Sequence, residues 1–159
     1  MNIIVIALGK LKEKYLADAV KEYSKRLSVY GKVNIIELNP VRLPDNPSQA
    51  EIASALNKEA EEIKKKIPSG SYIFTLCIEG KEKSSEKFAE EIKSAGLNGK
   101  SNITFIIGSS FGLSEEIKKL ADNRLSFSPM TFPHQLMRVM LLEQIYRAFQ
   151  INNNGKYHK

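Results

Sequence analysis

Apolar runs alternate with amphipathic segments along the whole chain. NIIVIAL, residues 2–8, is short, continuous and rich in β-branched residues, the pattern of a strand buried on both faces. Gly9 ends it. Leu16, Val20, Tyr23 and Leu27 then recur at helical spacing to about residue 30, where Gly31 supplies a stop. KVNIIEL, residues 32–38, reads as a second strand. Pro40, Pro44 and Pro47 make 39–47 a stiff loop that cannot be helical. Ser48 and Glu51 spell a capping box for a helix running to about Ile67, just before Pro68. SYIFTLCI (71–78) and NITFIIG (102–108) are the third and fourth strands, and a helix from Ser84 or Ser85 to about Gly96 lies between them. Ser114 followed by Glu115 and Glu116 opens a further helix, since acidic residues in the first turn favour the helix dipole. A short fifth strand around RLSF (124–127) leads into SPMTFP, and the last helix starts near Pro133 and runs to about Ile151. Five strands alternating with five helices predict an α/β fold, a mostly parallel sheet with helices on both faces. No repeat, low-complexity tract or linker interrupts the pattern, so a single domain over 1–159 is expected.

Composition narrows the class. The length of 159 residues suits about one domain. With 42% hydrophobic and 26% charged residues the chain is neither disordered nor collagen-like. Its apolar runs stop far short of the roughly 20 residues that span a bilayer. MNIIVIALGK has no basic stretch ahead of its apolar run, so no signal peptide is expected. The single cysteine, Cys77, excludes an intramolecular disulfide and suits a reducing compartment, which predicts a cytoplasmic protein. The net charge of +6 is carried by the ends: residues 1–30 and 134–159 each hold a surplus of three, while 31–133 balances. Basic ends on a neutral body suit a polyanion such as nucleic acid, although they also aid solubility alone.

Several chemistries are excluded. There is no G-x-G-x-x-G dinucleotide fingerprint. A phosphate loop ending in GKS (99–101) would need glycine where Ser94 stands, and that GKS precedes a strand instead of following one. One cysteine and two distant histidines, His134 and His158, do not build a zinc site, so no metal is expected. G-x-S-x-G is also missing.

What remains are loops at the carboxyl ends of strands, where open α/β sheets place ligands. GSSFG (108–112) lets a ligand approach the backbone, or is a plain turn into a helix. FSPMTF (127–132) combines apolar surface with backbone donors at a fixed bend, able to hold a purine ring and a thioether, or merely to join strand to helix. In LCIEGKEKSSEKFAEE (76–91), Leu76 falls at a strand end and Gly80 at a turn. Lys81 and Lys83 are solvated or meet RNA, and Ser84 and Ser85 are helix caps. His134 with Arg138 and Glu143 with Arg147 are i,i+4 pairs on the last helix. Arg138, close after the bend, is placed to meet a phosphate or a base. The tail NNNGKYHK (152–159) is mobile by composition, yet Tyr157 offers a stacking face, His158 a titratable nitrogen, and Lys156 and Lys159 attract phosphate.

Together these segments resemble the RlmH-type enzymes, small SPOUT-superfamily methyltransferases that modify a pseudouridine of large-subunit ribosomal RNA. The resemblance covers essentially the whole chain. It runs from ALGKLKEKY (7–15) and LCIEGKEKSSEKFA (76–89) through FIIGSSFGL (105–113) and LSFSPMTFPHQLMRVMLLEQIYRAFQI (125–151) to GKYHK (155–159). It implies a SPOUT-type sheet whose C-terminal part forms a trefoil knot, a rare departure from unknotted connections. It further implies a homodimer with S-adenosylmethionine bound at the knot, transferring methyl to N3 of a pseudouridine in 23S ribosomal RNA on assembled ribosomes. Carried over by motif, the cofactor residues are Leu76, Gly108, Phe127, Ser128, Pro129, Met130, Thr131 and Phe132. Arg138, Tyr157 and His158 are the catalytic candidates: Arg138 to stabilise a developing anion, His158 to accept a proton, Tyr157 to stack on the base. Two departures stand out. Ser109 replaces the second glycine of the family's glycine loop, and Lys156 stands where proline often precedes the terminal Tyr-His. The alternatives are a non-catalytic ribosome-binding factor of the same fold and a SPOUT enzyme acting on transfer RNA.

Overall fold

The computed structural model describes residues 1–159. Its elements follow in order as β1 (Asn2–Leu8), α1 (Lys14–Leu27), β2 (Lys32–Leu38), α2 (Gln49–Lys64) and β3 (Tyr72–Glu82), then α3 (Ser85–Leu97), β4 (Asn102–Ile107), α4 (Glu115–Leu120), β5 (Asn123–Ser126) and α5 (His134–Asn152). Serines start three of the helices as their spacing predicts. The Ser48, Ser84 and Ser114 hydroxyls accept the backbone N–H of Glu51, Lys87 and Ile117, and Ser48 with Glu51 completes a capping box.

The five strands form one all-parallel sheet in the order β2-β1-β4-β3-β5. The continuous apolar runs β1 and β4 lie side by side inside it, Asn2 opposite Asn102 through Ala7 opposite Ile107, because only strands covered on both faces can be apolar throughout. Ile3, Val5 and Ala7 point to a core closed by α1, α3 and α5. Ile4, Ile6 and Leu8 point to a second core closed by α2 and α4. In the larger core Phe74 and Phe105 stack at 5.0 Å between ring centroids, and Phe88 meets both edge-on. No helix is long and apolar enough to cross a membrane.

Three features differ from the sequence expectation. First, β3 continues past Ile78 to Glu82. Its pairing with β5 breaks after Leu76 and resumes at Lys81 opposite Leu125, so Gly80 sits in a bulge and not at a turn. A Cβ on Gly80 would lie 2.7 Å from the Arg124 carbonyl oxygen. Second, α2 stops at Lys64, one turn before Ile67. Third, the C-terminal tail is ordered. Asn154 takes a left-handed φ of 54° and Gly155 N–H bonds back to the Gln150 carbonyl at 2.7 Å, so the chain reverses and lays Tyr157 and His158 along α5. Side-chain partners hold a segment that composition alone reads as mobile.

From β3 the chain steps back to β4 and then across β3 again to β5. The loops leaving these three strands therefore converge at one edge of the sheet.

Candidate functional site

That edge holds a cleft of about 690 Å³. Leu76 ends the stretch of β3 paired with β4, the 108–112 turn follows β4, and the 127–133 bend follows β5. Seven of the eight residues expected to hold a cofactor line it: Leu76, Gly108, Phe127, Ser128, Met130, Thr131 and Phe132. Pro129 shapes the bend without lining the cleft. Ser109, Ser110 and Phe111 of the GSSFG turn line it too, and so do Cys77, Ile78, Glu79, Lys118, His134 and Met137, to which the sequence reading gave no cofactor role. Their positions next to Leu76, within the glycine turn and one helical turn along α5 were the available signal.

The cleft is shaped chiefly by backbone. Gly112 N–H bonds the Ser109 carbonyl at 2.9 Å, and Gly112 adopts φ +83°, a conformation that glycine tolerates. A Cβ on Gly108 would lie 2.4 Å from the Gly112 carbonyl oxygen, so position 108 must be bare. In the bend, the Ser126 hydroxyl donates to the Ser128 carbonyl at 3.2 Å, and the Ser128 hydroxyl accepts the Met130 N–H at 3.0 Å. Local side-chain bonds of this kind hold turns that a strand or helix would otherwise consume. Phe111, Ile78 and Met130 stay exposed at the mouth. On the wall, Lys118 and Glu79 pair at 2.5 Å. The Lys118 bond and Glu79's own backbone N–H hold the Glu79 carboxyl below the usual carboxylate range. Burial pushes the Cys77 thiol up, which keeps it protonated and unreactive as a nucleophile.

An apolar concavity with a few fixed polar groups is the form of small-molecule sites. Bare Gly108 and the sulfur- and ring-bearing wall suit a ligand that combines a flat ring with an apolar chain. No group of three His, Cys, Asp or Glu side chains is placed to hold a metal ion.

The catalytic candidates fall into two separate places. Arg138 points inward: it is 2% exposed, its Nη1 donates to Glu37 Oε2 at 2.7 Å and its Nη2 to the Gly9 carbonyl at 2.9 Å. Burial pushes the Glu37 carboxyl up, but the bonds from Arg138 and from the Leu11 N–H outweigh it, and the net shift is downward. Gln135 Oε1 accepts the Lys12 N–H at 2.9 Å, so the start of α5 is laced to the 9–13 loop. In one chain, then, Arg138 ties α5 to β2 and to the Gly9 carbonyl.

Tyr157 and His158 lie on another side of α5. Nine residues separate Arg138 from Arg147, which at 3.6 residues per turn puts them on opposite faces. The Tyr157 hydroxyl donates to Glu143 Oε1 at 3.1 Å, its ring meets Tyr146 edge-on, and the Arg147 guanidinium stacks on it at 4.7 Å. Burial first, then Tyr23 and Glu143, push the Tyr157 phenol far up, so it is no base near neutral pH. Arg147 Nη1 lies 3.3 Å from His158 Nδ1, and Glu86 Oε1 lies 2.9 Å from His158 Nε2. Both ring nitrogens therefore have a partner within the fold. Glu143 and Arg147 also bond directly, Nε to Oε1 at 3.0 Å. Lys83 is not free for RNA: it pairs with Glu91 and sits over the Phe74 ring.

A second cleft of about 400 Å³, lined by Tyr23, Lys83, Phe88, Val139 and Glu143 among others, lies beside this assembly. It shares Leu125, Ser126 and Phe127 with the first as a common wall.

A Clostridium perfringens protein named "Ribosomal RNA large subunit methyltransferase H 1" is 55% identical over all 159 residues of both chains. A Bacillus cytotoxicus protein named "Ribosomal RNA large subunit methyltransferase H" is 54% identical, again over the full length of each. A solved structure from Haemophilus influenzae Rd KW20, described as that of a probable methylase family protein, superposes with a TM-score of 0.53 at 16% identity. It covers 99% of this chain and 70% of its own, and at that identity it speaks for the fold alone. The family described as "Predicted SPOUT methyltransferase" matches residues 1–158, and the chain belongs to the SPOUT methyltransferase family.

Proposed function

We propose that this protein methylates N3 of a pseudouridine in large-subunit ribosomal RNA, using S-adenosylmethionine and acting on the assembled ribosome as a homodimer. The single observation that carries the reading is the cleft at the ends of β3, β4 and β5, whose bare Gly108 and locked 127–132 bend fit the cofactor, in a chain of this family. The names of the full-length relatives support a large-subunit ribosomal RNA substrate. The family also carries the expectation of the trefoil knot, of a single domain over 1–159 and of a cytoplasmic enzyme.

Leu76, Gly108 and the bend from Phe127 to Phe132 would hold the cofactor. When bound, S-adenosylmethionine supplies a methyl group on a sulfonium, already a strong electrophile, so the protein's work is alignment and proton removal. The neutral imide N–H of pseudouridine is a poor nucleophile. His158 is the proton acceptor in this reading, Tyr157 a stacking platform for the base, and Arg138 a cation near the developing anion. Within one chain Arg138 is turned away onto Glu37, and His158 is occupied by Arg147 and Glu86. In this reading a second chain's tail completes the first chain's cleft, which is why the working unit is proposed to be a homodimer.

The test is transfer of radiolabelled methyl from S-adenosylmethionine to ribosomes lacking the modification, to free large-subunit RNA and to transfer RNA. Label on ribosomes alone is expected. Label on transfer RNA keeps the chemistry and overturns the substrate. No label anywhere, with no cofactor uptake by calorimetry, leaves a non-catalytic ribosome-binding protein.

A further inference from the structure

Ser109 follows the bare Gly108 in the turn after β4, and its side chain makes a contact that a glycine there could not. The hydroxyl donates to Glu59 Oε1 at 3.1 Å. Glu59 lies on α2, beneath the opposite face of the sheet from α5, and is 5% exposed. Its other oxygen, Oε2, accepts the Val41 N–H at 3.1 Å. Glu59 forms no ion pair, so these two bonds are what offsets the burial of its carboxylate. One side chain thereby ties the proline-rich loop after β2 to the turn after β4.

That turn is the wall of the cofactor cleft. Ser109 and Gly112 face each other across it in a single β-bridge, and the Gly112 carbonyl oxygen sits where a Cβ on Gly108 would be. Any drift of Ser109 carries Gly112 with it and changes the space over Gly108. A glycine at 109 would leave that drift open through its backbone freedom, whereas a serine restricts the backbone and adds a bond to a charged acceptor.

We propose that Glu59 is a positioning residue for the cofactor, acting through Ser109 to hold the 109–112 turn in its binding conformation before the cofactor arrives. The inference rests on the cofactor reading above. Preorganisation of this kind raises affinity by removing the cost of ordering the loop on binding.

The experiment uses the full-length protein with Ser109→Ala, Ser109→Thr, Glu59→Ala and the Glu59→Ala/Ser109→Ala double variant. Calorimetry with S-adenosylmethionine gives affinity, and amide hydrogen exchange of the ligand-free protein gives the order of residues 109–113. Ser109→Ala is expected to weaken cofactor binding about fivefold to tenfold, the scale of one hydrogen bond's net contribution. It also speeds exchange in the turn, with the loss falling on the cofactor's KM more than on kcat. Ser109→Thr, which keeps the hydroxyl, restores both. The double variant binds no more weakly than Glu59→Ala alone, because the two act as one unit. Affinity and exchange in Ser109→Ala equal to the parent protein overturn the proposal, as do losses that multiply in the double variant. Should Glu59→Ala not fold, the Ala and Thr pair at 109 decides alone. Absence of cofactor uptake by the parent protein defeats the cofactor reading, and exchange then judges the clamp: faster in Ser109→Ala supports it, unchanged overturns it.

Discussion

The cleft proposed for the cofactor and the charged belt around α5 are built from opposite materials. The cleft is made of backbone: two glycines in a turn, a bend locked by Ser126 and Ser128, and an apolar wall left open at the mouth. The α5 belt is made of charged side chains that already satisfy one another, Arg138 on Glu37 on one side and Arg147, Glu143, Tyr157, His158 and Glu86 on another. A backbone site stands ready in a single chain, because nothing in it must be undone before a ligand enters. A set of charges paired this closely is not ready: apart from the buried Arg138 Nε, which has no partner, its donors and acceptors are engaged, and a substrate or a second chain has to compete for them. The chemistry assigned to this protein thus divides into a half that one chain prepares and a half that it holds in reserve.

The sharpest way to test that division is Arg138→Ala. Removing the buried guanidinium strands Glu37 and cuts the lacing of α5 to the 9–13 loop. Only the guanidinium is buried and the Glu37 side chain is 36% exposed, so the cost falls below that of a fully buried pair, about 2 kcal/mol, which for a domain of this size lowers Tm by roughly 4–8 °C. Differential scanning calorimetry reads it. A variant that loses turnover with an unchanged Tm would show that Arg138 serves chemistry alone and would break the structural side of the comparison.

Gly108→Ala probes the other half. The added Cβ meets a backbone carbonyl oxygen at 2.4 Å, which cannot swing aside as a side chain can. Overpacking of this order costs about 2 kcal/mol, or roughly 30-fold in cofactor affinity. Hydrogen exchange in the tail should stay as it was, because the tail's partners lie on α3 and α5. Tail and cleft loosening together would mean that the two regions are one unit.

His158→Ala is expected to lower turnover about tenfold or more while leaving cofactor affinity within twofold, since general bases contribute on that scale or above. Equal turnover would remove His158 from the mechanism and leave it as a tail anchor.

The smallest effect is on pH. The Glu86 carboxyl is held at about 2, first by its own backbone N–H at the start of α3, then by His158 and Ser84. Its folded value lies below the ordinary 4.5, so the stabilisation it gives is complete above about pH 4.5 and is lost as pH falls through about 2. Tail amides should lose protection in that window before the sheet does, and in Glu86→Gln the window should vanish. Persistence of the transition in that variant would place the tail's acid response elsewhere.

Most of the fold was legible from residue order, and the reason is local. The continuous runs of β1 and β4 could only be strands covered on both faces, and Ser48, Ser84 and Ser114 mark helix starts through bonds that reach three residues along. The extension of β3 to Glu82 was not legible, because it depends on a bulge at Gly80 that β5 imposes from 40 residues away in the chain. The loops expected to hold a cofactor stood out as glycine, proline and serine patterns at strand ends, and the structure brings seven of the eight expected residues to one cleft.

The side-chain partners were a different matter. A single sequence shows that Arg138, Glu37 and Glu59 are charged but not which of them the packing will bury, nor that Ser109 will find Glu59 fifty residues earlier. The tail looked mobile because it is polar and short, and only the reversal at Asn154 and Gly155 lays it against Glu143 and Arg147. Backbone conformation and the period of apolar residues are set by neighbours in the chain, so the sequence by itself determined the α/β class, the helix starts and the position of the cleft-forming loops. Whether a charge is spent within the fold or left for a ligand depends on groups that only folding brings within about 3 Å of each other. That was decided by the tertiary structure.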